Sequence, residues 1–211
     1  VRIGLPASQQ KQLEELCALG RPVVLVLTGG SPIELNWAKK HCAAIVMVWY
    51  PGEAGGEAMA DVIFGDYNPA GRLPITFYRS ADQLPPFDDY KMAGRTYRYF
   101  DGDPLFPFGH GLSYTTFAYD NLVLPERVEV GEDVLVSVEV KNSGPMAGEE
   151  VVQLYLTDLE ASAPVPIRSL QGVERVFLDP GETRTGSFTL TSQQLSLIDS
   201  QWERVVEPGV F

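Results

Sequence analysis

Apolar positions in the first 77 residues recur in two alternating rhythms. Leu13, Leu16 and Cys17 return at helical spacing and stop before Gly20, a residue that accepts the left-handed conformation ending many helices. Val23 to Leu27 is an unbroken apolar run, which reads as a strand covered on both faces. The next helix is predicted to start at Ser31. The serine can cap it, Pro32 takes the first helical position, where its missing N–H costs nothing, and Glu34 completes a capping box. Ile33 and Trp37 then share a face, and Lys39 and Lys40 fall in the last turn, where positive charge suits the helix dipole. Residues 44–49 read as a second buried strand, 56–64 as a helix stopped by Gly65, and 73–77 as a short strand. That order is the order of a parallel α/β sheet.

Residues 78–116 break the rhythm with Pro85-Pro86, Pro104, Pro107, several glycines and many aromatics. A stretch this long without a period is usually functional or a connection between domains. From Phe117 the pattern is all β. Val134, Val136, Val138 and Val140 alternate with Leu135, Ser137 and Glu139, and further strands are marked by Val151 to Leu156, by Val173 and Val176, and by Ser187 to Leu190. Asn142-Ser143-Gly144-Pro145 and Asp179-Pro180-Gly181-Glu182 are turn signals between them. The fold class is therefore α/β plus all-β: a partial α/β sandwich over 1–77, a long connecting segment over 78–116, and a β-sandwich of immunoglobulin or fibronectin type III kind over 117–211. Residues 204–211 should enter a closing edge strand where the sequence stops, so the second domain reads as truncated.

Composition narrows the function classes. A net charge of -12 repels phosphate, which sets nucleic acid aside, and no run approaches the length of a membrane span. The charge is uneven: residues 1–116 hold 10 basic against 12 acidic residues, residues 117–211 hold 6 against 16, as expected of two units of different character. Cys17 and Cys42 have no zinc spacing and are too few for a disulfide scaffold, and read as buried small apolar residues. No export signal is visible, but Val1 is not a methionine start and the opening reads as the middle of a longer chain, which leaves secreted or periplasmic placement open.

Trp49-Tyr50-Pro51-Gly52-Glu53-Ala54-Gly55-Gly56, the run from Ala60 through Gly65-Asp66-Tyr67-Asn68-Pro69-Ala70-Gly71-Arg72-Leu73-Pro74, Gly94 to Phe100, and Pro107-Phe108-Gly109-His110-Gly111-Leu112-Ser113-Tyr114-Thr115 together resemble glycoside hydrolase family 3, in the family's order. With the fibronectin-like module after them, the resemblance covers essentially all of the chain. It implies an enzyme built from a barrel, an α/β sandwich and a fibronectin type III-like domain, cleaving a terminal non-reducing β-D-xylosyl or β-D-glucosyl residue with retention. It further implies no cofactor, and a nucleophilic aspartate and an acid/base glutamate that both lie before this sequence, so no catalytic residue is assigned here. Leu84 to Tyr90 followed by Gly94 to Phe100 looks more like the β-xylosidase-type members. The expected partners are a glycoside substrate and the missing amino-terminal barrel, with a homo-oligomer left open. A non-catalytic accessory or carbohydrate-binding fragment is the competing reading.

Retaining hydrolysis needs two carboxyl groups about 5 to 5.5 Å apart, and sequence alone cannot show such a pair. Glu53 and Glu57 lie at the strand end and helix start where α/β ligand sites gather. Glu57 reads first as a carboxylate facing the helix dipole. Glu53 reads first as a solvated loop carboxylate, and second as a polar contact near the sugar or the barrel. Trp49 and Tyr50 leave a buried strand, with packing as the first reading and sugar stacking as the second. Trp49, Tyr50 and Glu53 are thus the candidate substrate-binding residues. Gly52, Gly55 and Gly56 lack the lysine and hydroxyl of a phosphate loop and serve tight turning. Arg95, Tyr97, Arg98 and Tyr99 alternate along a segment read as extended, to pack against the barrel or sandwich domain first and to line the entrance to the sugar site second. His110 reads as a structural hydrogen-bonding residue, and Trp202 as an aromatic anchoring a terminal strand.

Overall fold

The computed structural model describes residues 3–211, and the chain divides into two compact units. The first takes in the chain up to Tyr67 with Leu73–Thr96 and Asp101–His110; the second takes in Asn68–Arg72, Tyr97–Phe100 and Gly111–Phe211.

In the first unit α1 (Ala7–Ala18), β1 (Val24–Thr28), α2 (Asn36–His41), β2 (Ala44–Trp49) and α3 (Gly55–Phe64) follow in order. β1 and β2 pair in parallel, from Val24 opposite Ala44 to Leu27 opposite Met47, as the buried apolar runs predict. Leu13, Leu27, Leu35, Ala38, Phe77 and Leu105 form the core, and each large side chain buried this way contributes roughly 1.5–3 kcal/mol. Gly65, at φ 88, ends α3 as its sequence position requires. Both strands are less covered than expected. β1 exposes Val24 and Thr28, and β2 buries no residue fully, because a sheet of two strands with three short helices leaves much strand surface uncovered.

Three sequence expectations fail here, each for a nameable reason. The predicted capping box at Ser31 does not form. The Glu34 amide donates to the Ile3 carbonyl at 2.9 Å, and residues 4 and 34 make a parallel bridge, so the chain stays extended until α2 starts at Asn36 with no side-chain cap. The predicted strand at 73–77 is only an isolated bridge between Phe77 and Phe106, flanked by bonds from the Leu73 amide to the His110 carbonyl and from the Gly109 amide to the Leu73 carbonyl. Pro74 and Pro107 have no N–H to donate to a continuous ladder. The segment read as extended over 95–99 coils into the single turn α4 (Thr96–Tyr99), because Gly94 at φ 71 and Thr96 at φ 56 bend the backbone out of an extended path.

In the second unit β3 (Phe117–Val123), β4 (Val134–Asn142) and β7 (Thr183–Leu190) form one antiparallel sheet in the order β3-β4-β7, and β5 (Gly148–Leu156) pairs with β6 (Ser169–Leu178) in another. Val134, Val136 and Val140 point inward while Leu135 is exposed, the alternation that the sequence predicts for a half-covered strand. Val140, Val152, Val176 and Leu178 close the core between the sheets. β8 (Leu197–Ile198) and β9 (Arg204–Val205) make a small antiparallel pair, and the Leu159 amide reaches the Val210 carbonyl at 2.8 Å.

Two buried polar groups organise this unit. Asn142 is 0% exposed; its Oδ1 accepts from Thr115 Oγ1 at 2.7 Å and from the Gly144 amide at 3.1 Å, and its Nδ2 donates to the Met146 and Leu178 carbonyls. Arg72 pairs with Glu150 at 2.7 Å, with side chains only 13% and 11% exposed, and Glu150 also accepts from the Tyr119 hydroxyl at 2.8 Å. Burial first, and then that bond to the carboxylate, push the Tyr119 phenol well above its usual range. Trp202 is not the anchor expected. It stands 87% exposed at φ 66 on a turn where its amide bonds the Asp199 carbonyl, so the turn's backbone holds the chain there and the indole packs little.

Candidate functional site

The carboxyl ends of β1 and β2 carry two short loops, Gly29 to Leu35 and Tyr50 to Ala54. In open α/β sheets ligands gather at this edge. The parallel register slips between Leu27 and Thr28, so that Thr28 faces Trp49, and Trp49 sits at φ 53. A non-glycine residue in that region costs roughly 1–3 kcal/mol and persists only where its surroundings enforce it. The enforcing contacts are visible. The Trp49 carbonyl accepts from the Gly29 amide at 3.1 Å, and its ring meets Phe77 edge-on at 6.4 Å within the core cluster.

The slip sends successive aromatics in different directions. Trp49 is half-buried, whereas Tyr50 is 79% exposed. The Tyr50 ring lies over Gly30: a Cβ at residue 30 would come within 2.9 Å of its Cε2 and 3.1 Å of its hydroxyl oxygen. Gly30 therefore gives the Tyr50 ring its room, a contact the sequence reading missed. The available signal was a glycine pair directly after a strand, a common mark of close approach.

Glu53 is exposed in the turn that follows, and Glu57 lies in the first turn of α3, beside the positive end of the helix dipole. Gly52, at φ 72, turns as expected and Gly55 packs as expected, a Cβ there sitting 2.6 Å from the Pro51 ring, whereas Gly56 has an ordinary φ and open space where a Cβ would lie. His110 stacks on Phe106 at 5.2 Å, and its backbone bonds Pro107 and Leu73. Lys39 donates to the Leu105 carbonyl at 2.9 Å and stands over the Phe106 ring. Arg95 gathers the Pro86, Asp89 and Lys91 carbonyls and so fixes its own loop. In the second unit Tyr97 accepts from the Leu170 amide at 3.1 Å and meets Tyr155 edge-on, while the Arg98 carbonyl accepts from the Ile167 amide. Arg95 thus bonds its own loop in the first unit, while Tyr97 and the Arg98 backbone bond within the second. Arg98 and Tyr99 also line a groove of about 510 Å³ there, with Gln171, Arg204 and Phe211.

Among the described residues no group of three or more His, Cys, Asp or Glu is placed to hold a metal ion, and no helix is long and apolar enough to cross a membrane. The rim at the strand ends offers the exposed ring of Tyr50 and the exposed carboxylate of Glu53. Such a surface suits a neutral polyhydroxylated ligand, whose apolar faces stack on rings and whose hydroxyls need polar partners.

The family model for the glycosyl hydrolase family 3 C-terminal domain matches residues 2–114, and that for the fibronectin type III-like domain matches residues 150–211. The chain belongs to glycosyl hydrolase family 3. Among similar proteins are a xylan 1,4-beta-xylosidase of Xylanibacter ruminicola, 45% identical over 99% of this chain and 24% of that protein, and a periplasmic beta-glucosidase of Salmonella typhimurium, 42% identical over 99% of this chain and 29% of that protein. A crystal structure of beta-glucosidase from Listeria innocua in complex with isofagomine aligns with a TM-score of 0.87 at 35% identity, over 98% of this chain and 31% of that one. This family 3 chain thus spans between 24% and 31% of the length of these relatives.

Proposed function

We propose that the chain is the carboxy-terminal portion of a retaining, exo-acting β-glycosidase that removes terminal non-reducing β-D-xylosyl or β-D-glucosyl residues, with nucleophile and acid/base supplied by polypeptide outside these 211 residues. The observation that carries this reading is an end-to-end match of the chain to only 24% of a xylan 1,4-beta-xylosidase, with both domain models in sequence order. In the proposed enzyme this chain's residues 1–77 belong to the α/β sandwich, residues 78–116 connect, and residues 117–211 form the fibronectin type III-like domain. Trp49, Tyr50 and Glu53 form the sugar-facing rim: Trp49 anchors the slipped strand end, Tyr50 offers its face to the sugar, and Glu53 bonds a hydroxyl. A ring on a fixed backbone costs little entropy to present and so helps to hold the sugar in a reactive orientation.

The test is the gene product extended upstream, given aryl β-D-xyloside and aryl β-D-glucoside while the anomer first released is followed by proton NMR. Release of the β-anomer of one or both sugars is expected. Release of the α-anomer, or no hydrolysis of either substrate, would sink the proposal.

A further inference from the structure

The groove of about 510 Å³ is lined by residues of the second unit alone, from α4, the end of β5, the start of β6, the segment 193–198 and β9. Its size falls within the roughly 300–1,000 Å³ of small-ligand sites. Several polar side chains along it are held in place by their neighbours. Gln194 commits its whole amide to the fold: Nε2 donates to the Gln171 carbonyl at 2.9 Å and to Gln171 Oε1 at 3.2 Å, and Oε1 accepts from the Thr191 amide at 3.0 Å. Gln171 Nε2 in turn donates to Ser169 Oγ at 2.8 Å. Ser196 Oγ donates to the Gln193 carbonyl at 2.6 Å and accepts from Arg204 Nη1 at 2.8 Å. Asp158 Oδ1 accepts from the Glu160 amide at 3.1 Å.

The hydrogen-bonding capacity left over has a definite character. Gln171 Nε2 gives one hydrogen to Ser169 and keeps the other, the Arg204 guanidinium uses one donor on Ser196 and keeps the rest, and Asp158 keeps Oδ2 as an acceptor. Pro166, Leu195, Ile198 and the half-buried Tyr99 add apolar surface between these groups. The charged side chains of the lining, Arg98 and Arg204 against Asp158, come close to balance, as a neutral ligand requires. Donors and acceptors on held side chains, set among apolar faces, complement a sugar chain, whose hydroxyls both donate and accept and whose rings present C–H faces. We propose that this groove binds a short, neutral, β-linked oligosaccharide, with Gln171 and Arg204 donating to its hydroxyls and Asp158 accepting from them. The choice of β-linked xylo- and gluco-oligosaccharides rests on the function proposed above; the arrangement of the groove does not.

The network decides how such a site works. A side chain already fixed by the fold loses little freedom when a ligand arrives, so Gln194 acts by holding Gln171, and Ser196 by holding Arg204. Arg204 and Gln193 are exposed, so the groove stays wet and its affinity is modest. Tyr50 and Glu53 belong to the first unit, which gives the β-sandwich unit a hold on sugar chains that needs neither of them.

The whole 211-residue chain should be titrated with xylotetraose and with cellotetraose by calorimetry, and its amide hydrogen exchange followed with each sugar at saturation. Saturable binding of at least one sugar is expected at a Kd of roughly 1 mM or tighter, with slowed exchange at residues 169–171 and 193–198 that persists in Tyr50→Ala. Arg204→Ala removes an exposed side chain outside the core clusters, and Asp158→Asn keeps the Oδ1 acceptor for the Glu160 amide. Each should weaken binding by about tenfold or more. No saturable binding tighter than roughly 1 mM with either sugar, protection confined to other residues, or an unchanged Kd in both variants would each overturn the proposal. If a variant unfolds, the exchange pattern of the unaltered chain still decides. No hydrolysis enters the measurement, so a negative result leaves the glycosidase reading standing, and failure of the upstream-extended product to cleave aryl glycosides leaves a positive result standing.

Discussion

Asn142 holds together three stretches of the β-sandwich through four hydrogen bonds, and each of its two amide atoms has a fixed partner type. The Nδ2 faces two carbonyl oxygens, so nothing that only accepts can replace it. Asn142→Asp, almost identical in shape, is expected to cost about 3 kcal/mol or more, because it leaves two carbonyls unpaired and a carboxylate pressed against them in a buried site. Urea unfolding of the chain measures it, and a loss below about 1 kcal/mol would show that the site rearranges or admits water. At this scale the sequence was only partly legible. Asn142 was visible as a turn residue but not as a hub, since its partners Thr115 and Leu178 are distant in the chain. Trp202 was assigned to packing by residue type, whereas its exposure follows from the turn at Asp199 to Glu203. A side chain's type reports what it could bury, while its environment comes from contacts that lie elsewhere in the chain.

Elements whose signal is self-contained were read correctly, and those that depend on a distant donor were not. β2 and α3 carry their own evidence: an apolar run of strand length, and an apolar segment closed by a glycine in the left-handed region. The Ser31 to Glu34 cap and the strand at 73–77 fail because long-range partners, Ile3 and residues 105–110, claim the backbone groups that local rules had assigned. The candidate rim falls between these cases. The end of β2 was legible, but the slip at Trp49 that turns Tyr50 onto Gly30 is a tertiary event. It supports a separating experiment in the proposed longer enzyme. Gly30→Ala places a methyl against the Tyr50 ring, a movable side chain, so the ring should shift at little cost to folding. If Tyr50 stacks on the sugar, kcat/KM should fall by about tenfold, equivalent to 1.4 kcal/mol, while Tm stays within the range of a surface change. Tyr50→Ala should fall similarly, and the double variant should add nothing further. Unchanged kcat/KM in both single variants would remove Tyr50 from the rim.

For the whole molecule, the retaining mechanism proposed above sets the condition. A displacement at the anomeric carbon needs one ionised carboxylate and one protonated carboxyl about 5 to 5.5 Å apart across the sugar, and such a pair is held by burial and neighbouring charge that push the two pKa values apart. At the rim of the first unit the nearest carboxylates are Glu53, exposed in its turn, and Glu57, exposed in the first turn of α3. The buried carboxylate Glu150 belongs to the β-sandwich, where Arg72 and Tyr119 already occupy both its oxygens. A solvated glutamate beside an aromatic ring can orient a sugar, but without a nucleophile it cannot form the glycosyl intermediate. Lone members of a catalytic unit leave little chemistry behind. The purified 211-residue chain is therefore expected to show no turnover of aryl β-D-xyloside or aryl β-D-glucoside above a boiled control. Heat-labile hydrolysis that follows the chain through purification and disappears in Glu53→Gln would reverse this conclusion, and would place the catalytic carboxylate at the rim.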